Sequence, residues 1–342
     1  MKISVIIVNY NQKELLEKCL ESMKYIDYDN YDVIIVDNGS EDGSIELIKE
    51  KYDNHVLIEM GYNSGFCEAN NVGIHRSFEL GSDAVILLNN DTEVDKGFIR
   101  CAVNSVDEKN NIGMVATKVL FMSDKDLIDS TGLLITPDGL AKNKNSHNKS
   151  DTANNAMGVF CPAGAAALYT KTLLNDIKQD GMFFDEKYAF YFEELDLGWR
   201  ARLRGWECEY NPKSVVYHYK SATSGAYSKF IAFHTNRNIF YNIIKNYPLP
   251  YCLKALFLTF IRYPLLAFGA MTGRGAVGKF QNNFSTGDLI IVVLKGWRDV
   301  LVNFVKLLKQ RKYIQKRKKV TCKEYSKWFR KFGISFWDSL YK

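Results

Sequence analysis

Apolar and polar positions alternate in blocks along the first 110 residues. Ile3 to Val8 is apolar at every position but Ser4 and reads as a strand, and Lys13 to Met23 then carries Leu16, Leu20 and Met23 at helical spacing. The pattern repeats as a strand over Val33 to Val36 and a helix over Gly43 to Glu50. A strand over Val56 to Glu59, a helix from about Phe66 to Leu80, a strand over Ala84 to Leu88 and a helix starting near Asp95 follow. Short apolar runs bounded by turn formers are strands buried on both faces. Their alternation with helices predicts an α/β fold with a mostly parallel central sheet flanked by helices. Further on, Ile112 to Leu120 and Leu127 to Leu140 read as strands, the second turning at Pro137, Asp138 and Gly139. Ala141 to Ala156, rich in Asn, Lys and Ser, reads as a mobile loop. Gly158 to Tyr169 reads as a strand interrupted at Pro162, Ala163 and Gly164, where small residues would let a ligand approach the backbone. A helix is expected from about Phe192 to Gly205 and another over residues 229 to 245.

The strand pattern also orders the polar residues. The runs end in Asn9-Tyr10-Asn11, in Asp37-Asn38-Gly39-Ser40, in Asn63-Ser64-Gly65-Phe66 and in Asn89-Asn90-Asp91. Right-handed crossovers bring the carboxyl ends of parallel strands to one edge, so these groups should converge there, where open α/β sheets bind ligands. Asp91 on that edge is placed to hold a hard cation against phosphate oxygens, or else serves as a turn residue or cap. Neither GxGxxG nor GxxxxGK[ST] follows the first strand, which argues against a dinucleotide dehydrogenase and a P-loop NTPase.

At 342 residues with 46% hydrophobic content, the chain is long enough for a main domain plus an appendage. Seven cysteines form no CxxC pair, so neither a disulfide framework nor a zinc knuckle is indicated and a reducing cytosol fits. Residues 1 to 8 enter a strand directly, and no secretory signal peptide is expected. The net charge of +6 is unevenly distributed. Residues 300 to 342 hold 13 Lys/Arg against Glu324 and Asp338, a net +11, and residues 1 to 299 hold 32 against 37, a net −5.

Several ordered motifs resemble the inverting family 2 glycosyltransferases with the GT-A fold. IIVNYN from Ile6, VIIVDNGSEDGS from Val33, NSGFCEANNVG from Asn63 and LLNND from Leu87 look like the nucleotide-sugar half of that family. CPAGAAALYTK from Cys161, FFDEKYAFYFEELDLGWRARLRGW from Phe183 and VVYHYKSATSG from Val215 resemble its acceptor half, nearest to the bacterial rhamnosyltransferase branch. The resemblance implies a GT-A domain over residues 1–245, divided into a nucleotide-sugar half (1–110) and an acceptor half (111–245). It implies transfer of a sugar from a nucleotide-diphosphate sugar, dTDP-rhamnose or a UDP-sugar, to a lipid-linked or growing cell-surface glycan. Donor contacts would come from Val8, Tyr10, Asp37, Asn63, Gly65, Asn71, Asn90 and Asp91. Asp91 would hold a divalent cation, Mg²⁺ or Mn²⁺, with His218 as a second ligand, although a lone His often has a structural role. Acceptor contacts would come from Ala163, Gly164, Glu193, Asp196 and Trp199, and Glu194 would be the general base. Glu194 stands where the family usually has Asp. Acids opening a helix also match its macrodipole, which is the plain alternative for Glu193, Glu194 and Asp196. A UDP-hexose or UDP-galactofuranose transferase and a catalytically inactive nucleotide-sugar-binding protein are the rivals. A glycosidase would need two opposed carboxylates and no nucleotide pocket.

Beyond Pro248 the pattern changes. Tyr251 to Met271 is apolar but interrupted by Lys254, Arg262 and Pro264, which is short of an uninterrupted spanning segment. Leu289 to Leu308 repeats apolar positions at Ile290, Leu294, Trp297, Leu301, Phe304 and Leu308 with charges between them, the pattern of an interfacial amphipathic helix. Basic residues over Gln310 to Lys319 and the aromatics Trp328, Phe329, Phe336 and Trp337 follow. This combination suits an anionic membrane surface better than nucleic acid. Residues 246–342 are therefore expected as a basic, membrane-associating helical region, peripheral on the inner face of the cell membrane. A helical appendage packing on the catalytic domain or on a second copy of the chain is the alternative.

Overall fold

The computed structural model describes residues 1–220, 228–271 and 286–341. The chain forms two compact units, residues 1–133 with 143–221 and residues 134–142 with 222–342.

In the first unit, strands β1 (Ile3–Asn9), β2 (Tyr31–Asp37), β3 (Val56–Glu59) and β4 (Ala84–Asn89) lie in the order β3-β2-β1-β4, every pair parallel. They are joined by helices α1 (Lys13–Met23), α2 (Ser44–Lys51) and α3 (Phe66–Glu79). Ile3, Val5 and Ile7 pack with Leu16, Cys19, Leu20 and Met23 of α1 and Leu47 and Ile48 of α2. The intervening residues face α3. That helix lies so near the sheet that a Cβ on Gly73 would stand 2.5 Å from the Ile6 Cγ2. With both faces covered, Ile3, Val5, Ile6 and Ile7 are removed from water at about 1.5–3 kcal/mol each, which is why the run does not alternate.

The sheet continues through β5 (Thr92–Val94), α4 (Phe98–Asn104), β6 (Ile112–Phe121) and β7 (Asp124–Ser130). A small separate pair, β8 (Leu133–Ile135) and β9 (Ala141–Asn143), precedes β10 (Met157–Val159), β11 (Ala166–Thr170), α5 (Lys171–Ile177), α6 (Glu193–Leu203) and β12 (Glu207–His218). Strand β11 runs antiparallel to both β4 and β6 and so joins the parallel block to β12 and β10. The result is a mixed α/β sheet flanked by helices, as the sequence predicts.

Residues 141–156 differ from the expected mobile loop. Lys144 N donates to Gly132 O (2.8 Å), Thr131 N to Lys144 O (3.1 Å) and His147 N to Ile128 O (2.8 Å), and a 3-10 turn follows at Ser150–Ala153. Backbone pairing with residues 128–132 orders a segment whose polar side chains alone suggested slack.

The second unit contains α7 (Lys229–Asn246), α8 (Leu249–Met271), α9 (Thr286–Val302), α10 (Phe304–Arg317), α11 (Cys322–Phe332) and α12 (Phe336–Tyr341). Arg311 donates to the carbonyls of Ile244 and Tyr247, and Gln315 to that of Asn246, which satisfies the open carbonyl end of α7. The turn between β8 and β9 places Asp138 against α8. Arg262 ion-pairs with its carboxylate, both side chains being buried, and Thr259 Oγ1 donates to its carbonyl at 3.0 Å. Leu249–Leu266 is nonetheless long and apolar enough, by length and composition, to cross a membrane. The single amphipathic helix expected over Leu289 to Leu308 is instead interrupted at Asn303, whose side-chain amide donates to the Asp299 carbonyl (2.9 Å). Of the expected surface aromatics, Trp328 and Phe336 are buried and Trp337 is exposed.

Candidate active site

The polar strand ends converge, and amide side chains connect them. Asn90 Nδ2 donates to Asn9 Oδ1 (2.8 Å), and Asn9 Nδ2 donates to Asp37 Oδ2 (3.1 Å) and Ser40 Oγ (3.2 Å). The other Asp37 oxygen accepts from the backbone amides of Gly39 (3.2 Å) and Ser40 (2.8 Å). Asp37 is therefore a buried residue that shapes the turn after β2, with both carboxylate oxygens engaged by the protein. Asn38 links this turn to the next: its Nδ2 donates to Asn63 Oδ1 (3.1 Å) and its Oδ1 accepts from Ser64 N (2.9 Å). Tyr10 and Asn63 are exposed on this rim and Val8 is half-buried at the end of β1. Gly65, with φ +84°, packs beside Ala189 and Phe190, and the following amide of Phe66 donates to Ala189 O (3.1 Å).

Asn71 is not placed to meet a donor. Its Nδ2 donates to Phe184 O (2.9 Å) and Glu186 Oε1 (3.1 Å), and its Oδ1 accepts from the amides of Phe183 (3.1 Å) and Phe184 (2.8 Å). All four hydrogen-bonding positions of the side chain are taken, so Asn71 ties α3 to the segment leading into the acidic motif.

Asp91 and His218 meet because β5 and β12 pair, with Thr92 opposite His218. His218 Nε2 lies 3.2 Å from Asp91 Oδ1, and its Nδ1 lies 2.8 Å from Asp129 Oδ2. Burial would lower the imidazole pKa, but hydrogen bonds to Asp129 and Asp91 outweigh it and raise it to about 9. The ring is held between two carboxylates. The pair fits a divalent cation: the 3.2 Å separation is close to the roughly 3.0 Å edge between neighbouring ligands of an octahedral ion with bonds of about 2.1 Å. No group of three or more His, Cys, Asp or Glu suited to a metal occurs among the described residues. The segment after Lys220, including the SATSG motif at residues 221–225, lies outside the described residues.

The third feature is the start of α6. Ala189, Tyr191 and Phe192 all have positive φ (57°, 66° and 69°), a cluster of left-handed non-glycine residues immediately before Glu193. Conformations of this kind cost of order 1–3 kcal/mol each and gather at functional sites. Among the described residues, Glu193 and Glu194 each keep one buried carboxylate oxygen with no hydrogen-bond donor. Burial pushes both carboxyls above their ordinary range, and for Glu193 the Glu194 charge adds to the effect. Gly164 is beside them: a Cβ built there would stand 3.9 Å from Glu194 Cδ. Ala163 is buried next to it. The next residue but one, Ala165, accepts from Asn89 N (3.0 Å) and so joins this corner to the end of β4.

Asp196 and Trp199 are not acceptor contacts here. Asp196 is buried, pairs with Arg200 Nε (2.8 Å) and accepts from Tyr188 OH (3.3 Å). Arg200 in turn donates to the carbonyls of Ile177 and Phe183. Trp199 is fully buried with its ring 4.6 Å from that of Phe160. Helical spacing turns both residues inward while Glu193 and Glu194 begin the helix.

The mostly parallel α/β sheet flanked by helices is a GT-A-type fold, and its polar carboxyl edge carries an Asp–His pair and a desolvated carboxylate pair. Residues 4–177, just over half of the chain, match the model of Glycosyl transferase family 2, and the chain belongs to that family. It is 22% identical over 217 residues to the poly-beta-1,6-N-acetyl-D-glucosamine synthase of Staphylococcus aureus, covering 63% of this chain and 49% of that one. The chain thus spans about half the length of the curated relatives it matches. Among solved structures it is similar to S. aureus TarS 1-349 in complex with UDP-GlcNAc, with 17% identity and a TM-score of 0.55 over 90% of this chain and 82% of that one. It is also similar to mannosyltransferase PcManGT from Pyrobaculum calidifontis in complex with GDP-Man and Mn²⁺, with 15% identity and a TM-score of 0.52 over 92% and 84% of the two chains.

Proposed function

We propose that the protein transfers a hexosyl group, with inversion, from a nucleotide-diphosphate sugar to a hydroxyl of a growing, lipid-linked cell-surface glycan. The observation that carries this reading is Glu194, a desolvated carboxylate beside Gly164 on the same sheet edge as Asp91 and His218. The amide-linked turns around Asn9, Asn38 and Asn90 shape a cradle for the nucleotide. Asp91 and His218 would hold Mg²⁺ or Mn²⁺. When bound, that ion would neutralise the departing diphosphate. The acceptor hydroxyl attacks the anomeric carbon from the side opposite the diphosphate, its proton passes to Glu194, and the sugar–phosphate bond breaks with its electrons leaving on the diphosphate. The raised pKa of Glu194 suits it to take that proton.

The motif resemblance implied dTDP-rhamnose. The relatives, one named for an N-acetylglucosamine polymer and one bound to UDP-GlcNAc, support the UDP-hexose alternative. Nucleotide release over a panel of UDP-GlcNAc, UDP-galactofuranose, dTDP-rhamnose and GDP-mannose tests the choice. Release from dTDP-rhamnose alone would restore the rhamnosyl reading. Donor binding without release from any of them would leave a nucleotide-sugar-binding protein.

We also propose that the second unit rests on an anionic membrane surface. Leu249, Leu253, Phe257 and Phe260 are each more than 50% exposed at helical spacing on α8. On α9 and α10, exposed Ile290, Ile291, Leu294, Leu301, Val305 and Leu308 are interspersed with exposed Lys295, Arg298, Lys306 and Lys309. Apolar faces flanked by cations suit a lipid interface. Co-sedimentation of the full chain with anionic liposomes, weakened by high salt, is the expected result. A chain that stays in the supernatant and self-associates instead would assign these faces to a second copy.

A further inference from the structure

Asp129 plays no part in the reading above, yet three donors converge on it. It lies on β7, almost completely buried. One oxygen receives His218 Nδ1 (2.8 Å), and the other receives Lys220 Nζ (2.9 Å) and Asn143 Nδ2 (3.2 Å). Asp129 is thus a fixed anion behind the imidazole, on the side away from Asp91.

We infer that Asp129 is the positioning residue of the cation site: it fixes the His218 ring with its proton on Nδ1, leaving Nε2 to act as a ligand beside Asp91. An imidazole can bind a cation only through an unprotonated nitrogen, and the hydrogen bond made by the other nitrogen decides which one that is. The two sides of the Asp129 carboxylate make this arrangement specific. Lys220 can only donate, so it holds one oxygen, and the other is left to accept from Nδ1. The inference rests on the proposed use of a divalent cation.

The test uses Mn²⁺ alone as the probe, with free ion followed by electron paramagnetic resonance on the full chain. In Asp129→Asn the amide oxygen must turn to Lys220, which presents the NH₂ group to Nδ1 and drives the ring proton onto Nε2. Mn²⁺ affinity should then fall by about 10 to 100-fold, the usual effect of losing such a partner, although the side chain is isosteric. Adding Lys220→Met removes the donor that can only donate; Asn143, the other partner on that side, can reverse its own amide, so the amide oxygen of residue 129 can turn back to Nδ1 and most of that affinity should return. A merely structural Asp129 gives no such rescue. Wild-type affinity in Asp129→Asn, or equal loss in the single and double variants, would overturn the inference. Absence of Mn²⁺ binding by the wild type, matched by His218→Ala, would instead refute the cation reading on which it rests.

Discussion

Gly164 faces Glu194 with no side chain between them, and a Cβ at position 164 would stand 3.9 Å from the Glu194 Cδ. That distance is ordinary van der Waals contact, so the space suits a substrate atom or a methyl group and little more. Gly164→Ala should fold with an unchanged unfolding midpoint. Gly164→Leu should retain donor affinity but lose transfer, because its branch would occupy the approach to the carboxylate. Calorimetric donor binding beside transfer rate checks both, and full transfer by Gly164→Leu would place the acceptor elsewhere.

Glu194→Gln should keep donor binding and lower transfer by about 10² to 10⁴-fold, the usual size of a general-base contribution. Glu194→Asp should retain part of the activity, since only the reach of the carboxylate changes. Neighbouring helical residues point about 100° apart, so Glu193 cannot readily perform the same task. Collapse in Glu193→Gln with near-normal transfer in Glu194→Gln would move the base one residue back.

The same two carboxylates make stability depend on pH. Their folded-state pKa lies above the ordinary 4.5, so the fold favours the neutral form. That favourable contribution is complete below the unfolded value and is lost as pH rises through the folded one. Glu193→Gln should therefore be no more stable than wild type near pH 4 and more stable by about 1–3 kcal/mol at pH 8, the scale of an unpartnered buried polar group. Denaturant midpoints across that range provide the measurement, and a difference that shrinks with rising pH would contradict the burial argument.

Asp91→Asn should leave the sheet intact, because Asp91 follows β4 on a turn, yet reduce transfer by on the order of 10²-fold or more, several kcal/mol of lost charge stabilisation. Excess EDTA should have a similar effect on the wild type and little further effect on the variant. Undiminished wild-type turnover in EDTA would remove the cation from the mechanism.

The sequence made the elements legible where one periodicity dominated. Helix α1 was readable from Leu16, Leu20 and Met23, and β3 from a bounded apolar run, because burial against the sheet enforces those patterns. The convergence of Asn9, Asp37, Asn63 and Asp91 followed from parallel topology. What each polar side chain bonds to was not readable. Asn71 reaches residues more than 110 positions away, and Asp129 reaches His218 across 89 positions. No local pattern marks such partners. Asn38, by contrast, could have been found, since it adjoins Asp37 at the end of β2. Composition misled at residues 141–156, where backbone pairing overrides polar side chains. Hydrophobic periodicity over Leu289 to Leu308 does not reveal the break at Asn303, and the composition of the following segment does not show that Trp328 and Phe336 are buried while Trp337 is exposed.

The turns of the donor edge are joined largely amide to amide, Asn90 to Asn9 and Asn38 to Asn63. Amides neither gain nor lose protons in the physiological range, so the rim that would receive the nucleotide keeps its shape while the groups around it titrate. Acidification and alkalinisation should thus change the rate of the proposed transfer at Glu194 and the hold on the proposed cation at His218 without altering which base the rim accepts.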